Sequence, residues 1–181
     1  MDFVVGGSGP LIVGHSWVSK LKNSGLLPDF FSCISVNNGT FADFIGVIGS
    51  IPLYQEHDYV FVFLGSSELD LVTLTQIENS CQELATLLRI VFPHAKLIFS
   101  QIEERFEPLT GQINNLWKAR SNSYNRWLNT FLNKDALFRL KGQGFFGLPF
   151  WYAPDGISLN QAGLVKLAAL LKGYYTGRLA G

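Results

Sequence analysis

Cysteine, histidine and net charge are all scarce in this chain, and each scarcity removes a class of function. Two cysteines, Cys33 and Cys81, serve 181 residues. Neither stands in a CxxC or His/Cys ligand spacing, so a disulfide scaffold and a zinc module are both excluded and two buried free thiols are expected. No cofactor and no metal is expected either. Lys plus Arg and Asp plus Glu number 14 each, so no global field draws the chain onto nucleic acid or anionic lipid. No apolar run reaches the roughly 18 residues of a membrane span, and no basic region with an apolar h-region opens the sequence. The chain therefore reads as soluble and away from membranes, leaning toward a reducing, cytoplasmic setting. Zinc knuckles, basic arms, coiled coils, internal repeats and linkers are also missing.

What is present is apolar material: 48% of residues are hydrophobic, enough for one continuous core over residues 1–181, with 1–9 (ending in Gly6-Gly7-Ser8-Gly9) as a flexible lead-in. Apolar runs of strand length alternate with stretches of helical periodicity. Strands are expected at Pro10–Gly14, Phe31–Val36, Tyr59–Gly65 and Ala95–Ile102, with a weaker fifth between Ala136 and Gly147. Helices are expected at Trp17–Asn23, Phe41–Gly49, about Leu74–Phe92, Ile113–Leu132 and Gln161–Tyr175. This alternation implies a parallel sheet of about five strands covered on both faces, a three-layer αβα sandwich of flavodoxin-like type. A capping box, Thr73 with Gln76 or Thr75 with Glu78, opens the third helix, and Pro93 closes it.

Ligands of open parallel sheets bind beyond the carboxyl ends of the strands, so the residues just after each apolar run carry the functional information. Four such places stand out: Gly14-His15-Ser16-Trp17, Asn37-Asn38-Gly39-Thr40, Gly65-Ser66-Ser67-Glu68, and Asp155-Gly156-Ile157-Ser158-Leu159-Asn160 before the last helix. In order and spacing they resemble the blocks of the SGNH/GDSL hydrolases across nearly the whole chain. That resemblance implies a nucleophile at Ser16 and an oxyanion hole made by the backbone N–H groups of Ser16 and Gly39. It puts Ser67 where the family has an oxyanion-hole asparagine. Asp155 takes the family's aspartate position, and Ser158 takes the position of the catalytic histidine.

Each of these residues also has a structural explanation. Ser16 lies where serine caps a helix. Gly39 fits a turn needing positive φ. Asp155 in Pro154-Asp155-Gly156 fits an Asx-turn, and Ser158 with Gln161 reads as a capping box. Ser67 has a shorter reach than asparagine. Other bases are poorly placed: His57 and His94 precede strands and read as surface residues at the opposite edge of the sheet. His15 is next to Ser16, where adjacent side chains diverge, and Lys20, one helical turn on, reads as solvated. Phe145, Phe146, Phe150, Trp151 and Tyr152 fit either an apolar wall beside the site or packing under the last helix. Trp117 and Trp127 read as core or interface residues, while Arg105, Lys118, Arg120 and Arg126 read as a solvated basic face.

Two functions follow. One is a pseudo-hydrolase acting as a binding, assembly or scaffold module, with a protein partner. The other is an unconventional serine hydrolase of carboxylic esters or O-acyl groups using Ser16, with an acyl-ester small molecule as its ligand. The first block also resembles SGNH-like domains of retroelement-encoded proteins, which implies nucleic-acid contact only through other segments.

Overall fold

A computed structural model describes residues 9–51, 56–133, 136–140 and 148–180, the side chains of 178–180 excepted. The lead-in other than Gly9, and Phe145 and Phe146, lie outside the described residues. The chain runs β1 (Leu11–Gly14), α1 (Ser16–Ser24), β2 (Ser32–Ser35), α2 (Phe41–Gly49), β3 (Tyr59–Phe63), α3 (Leu74–Val91), β4 (Lys96–Ser100), α4 (Asn115–Phe131), β5 (Leu137–Phe138) and α5 (Gln161–Ala180). A 3-10 turn at Pro149–Trp151 precedes α5. The five strands are ordered β2-β1-β3-β4-β5, and every pairing is parallel. This is the expected α/β sandwich with flavodoxin-like order.

Strand alternation sends side chains to two separate apolar layers. Leu11, Val13, Val60 and Val62 face one way, onto Phe41, Phe44, Leu84, Leu88, Trp117 and Tyr124 of α2, α3 and α4. Ile12, Tyr59, Phe61 and Phe63 face the other, onto Trp17, Val18 and Leu21 of α1 and Leu164, Leu167 and Leu171 of α5. β3 is buried throughout because it is central and covered on both sides. Its run stops two residues short of Gly65, whose φ of 108° breaks the ladder.

Of the two candidate boxes at α3, Thr73 with Gln76 is the one formed: the Thr73 N–H donates to Gln76 Oε1 (2.9 Å) and the Gln76 N–H to Thr73 Oγ1 (3.2 Å). Cys33 and Cys81 are free and buried. Burial pushes the Cys33 thiol up to about 11 and the Cys81 thiol up to about 12, so neither is a ready thiolate. Among the described residues no helix is long and apolar enough to cross a membrane.

Gly14 brings the sheet and the first helix together at the site. A Cβ there would lie 2.4 Å from the Phe63 carbonyl oxygen and 2.9 Å from Val18 Cγ2. The absence of a side chain lets α1 start directly against the end of β3.

Candidate active site

The end of β1 turns into α1 through His15, the N-cap residue, whose Nδ1 accepts from the Trp17 N–H at 3.3 Å. Ser16 is therefore the first helical residue and not the cap. Its Oγ instead accepts from the Asn38 N–H at 3.3 Å. Among the described residues that hydroxyl donates to no acceptor, and neither His15 nor Lys20 hydrogen-bonds it, as expected from the divergence of neighbouring side chains.

The loop after β2 differs from expectation at Gly39. Its N–H donates to the Val36 carbonyl at 2.9 Å, closing a turn, so it is not free for an oxyanion. The positive φ, 55°, belongs to Asn38, a residue type that tolerates the left-handed region. Gly39 is needed for space: a Cβ would sit 2.8 Å from Val36 O and 3.0 Å from Phe44 Cε2. The backbone donor beside Ser16 is thus Asn38, one residue earlier.

After β3, the loop carrying Ser66 and Ser67 is held from several sides. Glu68 is buried, and its Oε1 accepts from the Phe41 N–H at the start of α2 (2.6 Å). Burial pushes the Glu68 carboxyl up, Asp43 adds to this, and the Phe41 hydrogen bond opposes it. Arg105 stacks on the Trp117 ring at 3.6 Å from its centroid, donates to the Ser66 carbonyl at 3.2 Å and lies 3.7 Å from Asp70. Arg120 donates through Nε to Leu69 O at 2.7 Å and through Nη2 to Val72 O at 2.8 Å, with a further Nη2 contact to Leu69 O. The solvated-face reading therefore fails for Arg105 and Arg120, which clamp this loop, and fits the exposed Lys118 and Arg126. Trp117 is core, and Trp127 stacks on Phe131 at its margin.

The turn before α5 is organised by Asp155. Its Oδ1 accepts from the N–H groups of Ile157 (2.9 Å) and Ser158 (2.8 Å), and its Oδ2 accepts the Ser158 hydroxyl at 2.8 Å. Desolvation pushes this carboxyl up, but the two N–H groups, the hydroxyl and the Lys20 charge outweigh it and hold the group below the ordinary carboxylate range. The expected Asx-turn is present; the Ser158–Gln161 capping box is not. Asn160 caps α5, with Oδ1 accepting from the Gly163 N–H at 2.8 Å, because its side chain is one residue before the helix while that of Ser158 is taken by Asp155.

Ser16, Asn38, Ser67, Arg105, Asp155 and Ser158 share one depression of about 220 Å³, which His15 and Glu103 also line. Trp17 Nε1 donates to the Ile157 carbonyl at 3.2 Å, tying the Ser16 turn to the Asp155 turn. Gly39 does not line the depression. Nor do the described members of the aromatic stretch: Tyr152 packs in the core on Phe106 and Trp17, Trp151 lies against Lys166, and Phe150 is exposed. His94 is exposed at the far edge, but His57 is buried, its Nδ1 2.9 Å from the Gly9 carbonyl oxygen and its ring edge-on to Phe92. A surface reading of His57 is therefore wrong; the Gly9 carbonyl and the Phe92 ring lie against it. Among the described residues no group of three His, Cys, Asp or Glu side chains could hold a metal ion.

Solved structures share this architecture. A GDSL-like lipase from Bacteroides thetaiotaomicron superposes with a TM-score of 0.77 at 12% identity, covering 95% of this chain and 89% of that one. A member of the lipolytic G-D-S-L family from Veillonella parvula gives 0.65 at 11%, over 93% and 98%. A psychrotrophic esterase from Pseudoalteromonas, solved inhibited by monoethylphosphonate, gives 0.62 at 14%, over 96% and 100%. This chain has the GDSL-hydrolase fold. No family model matches the sequence and no curated protein matches it, so the likeness is one of architecture.

Within this GDSL-type frame the sequence reading passed over Asn38, Glu103, Ser66 and Ile157 as site residues. The signal for Glu103 was visible: Gln101, Glu103, Glu104 and Arg105 follow the apolar β4 run at once, and the first three are buried. His15 Nε2 lies 3.9 Å from Glu103 Oε1. Burial lowers the His15 pKa from 6.5, with Arg105 acting in the same direction and Glu103 against it. The folded state thus takes up this proton less readily than the unfolded chain, so stability falls as pH drops below about 6.5. Protonation would also remove the Nδ1 acceptor that caps α1. His15→Asn keeps a capping oxygen and removes the titration, so from pH 7.5 to 5 its urea midpoint is expected to lose less than that of the wild type, the raised Glu68 carboxyl acting in the opposite direction in both proteins. Parallel profiles would show that His15 is not the group responsible.

Proposed function

We propose that this domain retains the GDSL-hydrolase fold as a binding, assembly or scaffold module and no longer hydrolyses esters efficiently. One observation carries this reading: the position that should supply a base holds a hydroxyl, Ser158 Oγ, bonded to Asp155 Oδ2 at 2.8 Å. A hydroxyl cannot accept and hold a proton near neutral pH as imidazole does. The nearest histidine, His15, is committed to Trp17 and faces Glu103. Loss of the histidine of a serine-hydrolase triad costs about four to six orders of magnitude in rate.

A second reading, a slow serine hydrolase of carboxylic esters or O-acyl groups, is favoured by Ser16 lining an open depression together with Asn38, Ser67 and Asp155, since substrate binding beside a positioned nucleophile retains part of the catalysis without a base. Hydrolysis of p-nitrophenyl acetate and butyrate by wild type and Ser16→Ala separates the two. The proposal expects both proteins to remain close to the buffer rate. Substantial turnover lost in Ser16→Ala would overturn it in favour of the second reading.

A further inference from the structure

Ser16 and Asp155 border the same depression, each with one capacity unspent. Asp155 Oδ1 is occupied by two N–H groups, whereas among the described residues Oδ2 accepts only the Ser158 hydroxyl, and a carboxylate oxygen has room for a second donor. The Ser16 hydroxyl accepts from Asn38, but its own proton has no acceptor among the described residues. An ionised carboxylate on one side, a hydroxyl proton on the other and space between them are the surroundings that a neutral imidazole satisfies, one nitrogen donating and the other accepting.

We propose that the depression accepts an imidazole ring supplied by a second molecule, seated between Asp155 and Ser16, and that this ring makes Ser16 a nucleophile. The inference rests on the reading above, that the chain by itself lacks a base. The volume, about 220 Å³, equals that of about seven waters at roughly 30 Å³ each and accommodates a five-membered ring. Trp17 and Ile157 give the ring apolar wall, and their mutual hydrogen bond fixes the two sides of the seat. The Arg105 charge is engaged by the Trp117 face and Asp70, so it remains on the wall without claiming the Asp155 carboxylate.

With the ring in place, one imidazole N–H donates to Asp155 Oδ2 while the other nitrogen takes the Ser16 proton as Oγ bonds to an ester carbonyl carbon. The imidazolium then gives that proton to the leaving alkoxide as the ester C–O bond breaks, leaving an acyl-Ser16. Water attacks this acyl group, its proton passing through the same nitrogen to Ser16 Oγ, and a carboxylic acid leaves.

The test measures p-nitrophenyl acetate hydrolysis by the wild-type domain with imidazole titrated in, subtracting the protein-free rate at each concentration. The expected result is a saturable rise of at least about ten-fold, half-maximal at millimolar imidazole and growing with the neutral fraction of the ring. It should be absent in Ser16→Ala, and in Ser158→His, whose own ring occupies the seat. Line broadening of the imidazole proton resonances by wild type but not by Ser158→His reports binding without turnover. N-acetylhistidine methylamide and Gly-His-Gly distinguish the source: stronger rescue by the peptide points to a histidine of a partner protein, and rescue by imidazole alone to a small heterocycle. A rise that is linear in imidazole, or equal in Ser16→Ala, overturns this inference while leaving the base-deficient reading intact. Ser16-dependent turnover without imidazole overturns that reading instead.

Discussion

Ser158→His is expected to raise ester hydrolysis by about a hundred-fold or more, the usual contribution of a positioned general base. The setting for the new ring already exists. Asp155 is held in one orientation by the Ile157 and Ser158 N–H groups, it is ionised, and its Oδ2 faces the side chain at 158. An imidazole replacing the hydroxyl would donate to that oxygen, which fixes the tautomer and leaves the other nitrogen to act as base. Recovery should be incomplete, because Ser67 is shorter than an asparagine at the same place and the Gly39 N–H is spent on Val36 O. Adding Ser67→Asn to Ser158→His should therefore give a further rise, since a single oxyanion donor is worth about a hundred-fold in favourable cases. Ser16→Ala must remove the whole gain. A Ser158→His protein with the wild-type circular dichroism spectrum and no Ser16-dependent activity would show that Ser16 and Asp155 are not oriented as a catalytic pair.

The fold was legible in the sequence because its determinants are local. The run Tyr59-Val60-Phe61-Val62-Phe63 has no polar alternation, and its short length and β-branched and aromatic residues make it read as a strand covered on both faces; Thr73 with Gln76 announces a helix start. The site was legible only in outline, since a strand end identifies which loop matters but not which atom in it is free. In Asn37-Asn38-Gly39 the glycine attracts attention, yet its N–H is used within its own turn and the asparagine takes the left-handed position. Ser158 with Gln161 reads as the cap of the last helix, but Asp155 has already claimed the Ser158 hydroxyl and Asn160 caps the helix instead. Arg105 and Arg120 read as solvated because their partners, the carbonyls of Ser66, Leu69 and Val72, are 39 to 51 residues away. No local pattern records such a contact.

Gly156→Ala is expected to be the most damaging single methyl addition near the site. Gly156 has φ of 72°, and a Cβ there would lie 1.9 Å from the Phe106 carbonyl oxygen and 2.7 Å from its carbonyl carbon. Those atoms are backbone and cannot rotate away, so the 153–158 turn must move. The Phe106 N–H to Gly156 carbonyl bond (3.0 Å) pins the Asp155 turn to the segment after β4 and would be strained or lost. The left-handed conformation alone costs an alanine about 1–2 kcal/mol, and loss of the hydrogen bond adds about 1 kcal/mol. With the backbone clash, a total of at least about 3 kcal/mol follows, read as a lower urea midpoint at unchanged slope. Gly111→Ala supplies the control: φ there is 67°, but nothing lies within 4 Å of the added Cβ, so only the conformational cost applies. If the pinning argument holds, Gly156→Ala also abolishes the gain from Ser158→His, because the carboxylate that orients the ring moves with the turn. Equal destabilisation by the two glycine substitutions would mean that the turn yields freely and that its contact with Phe106 does not position Asp155.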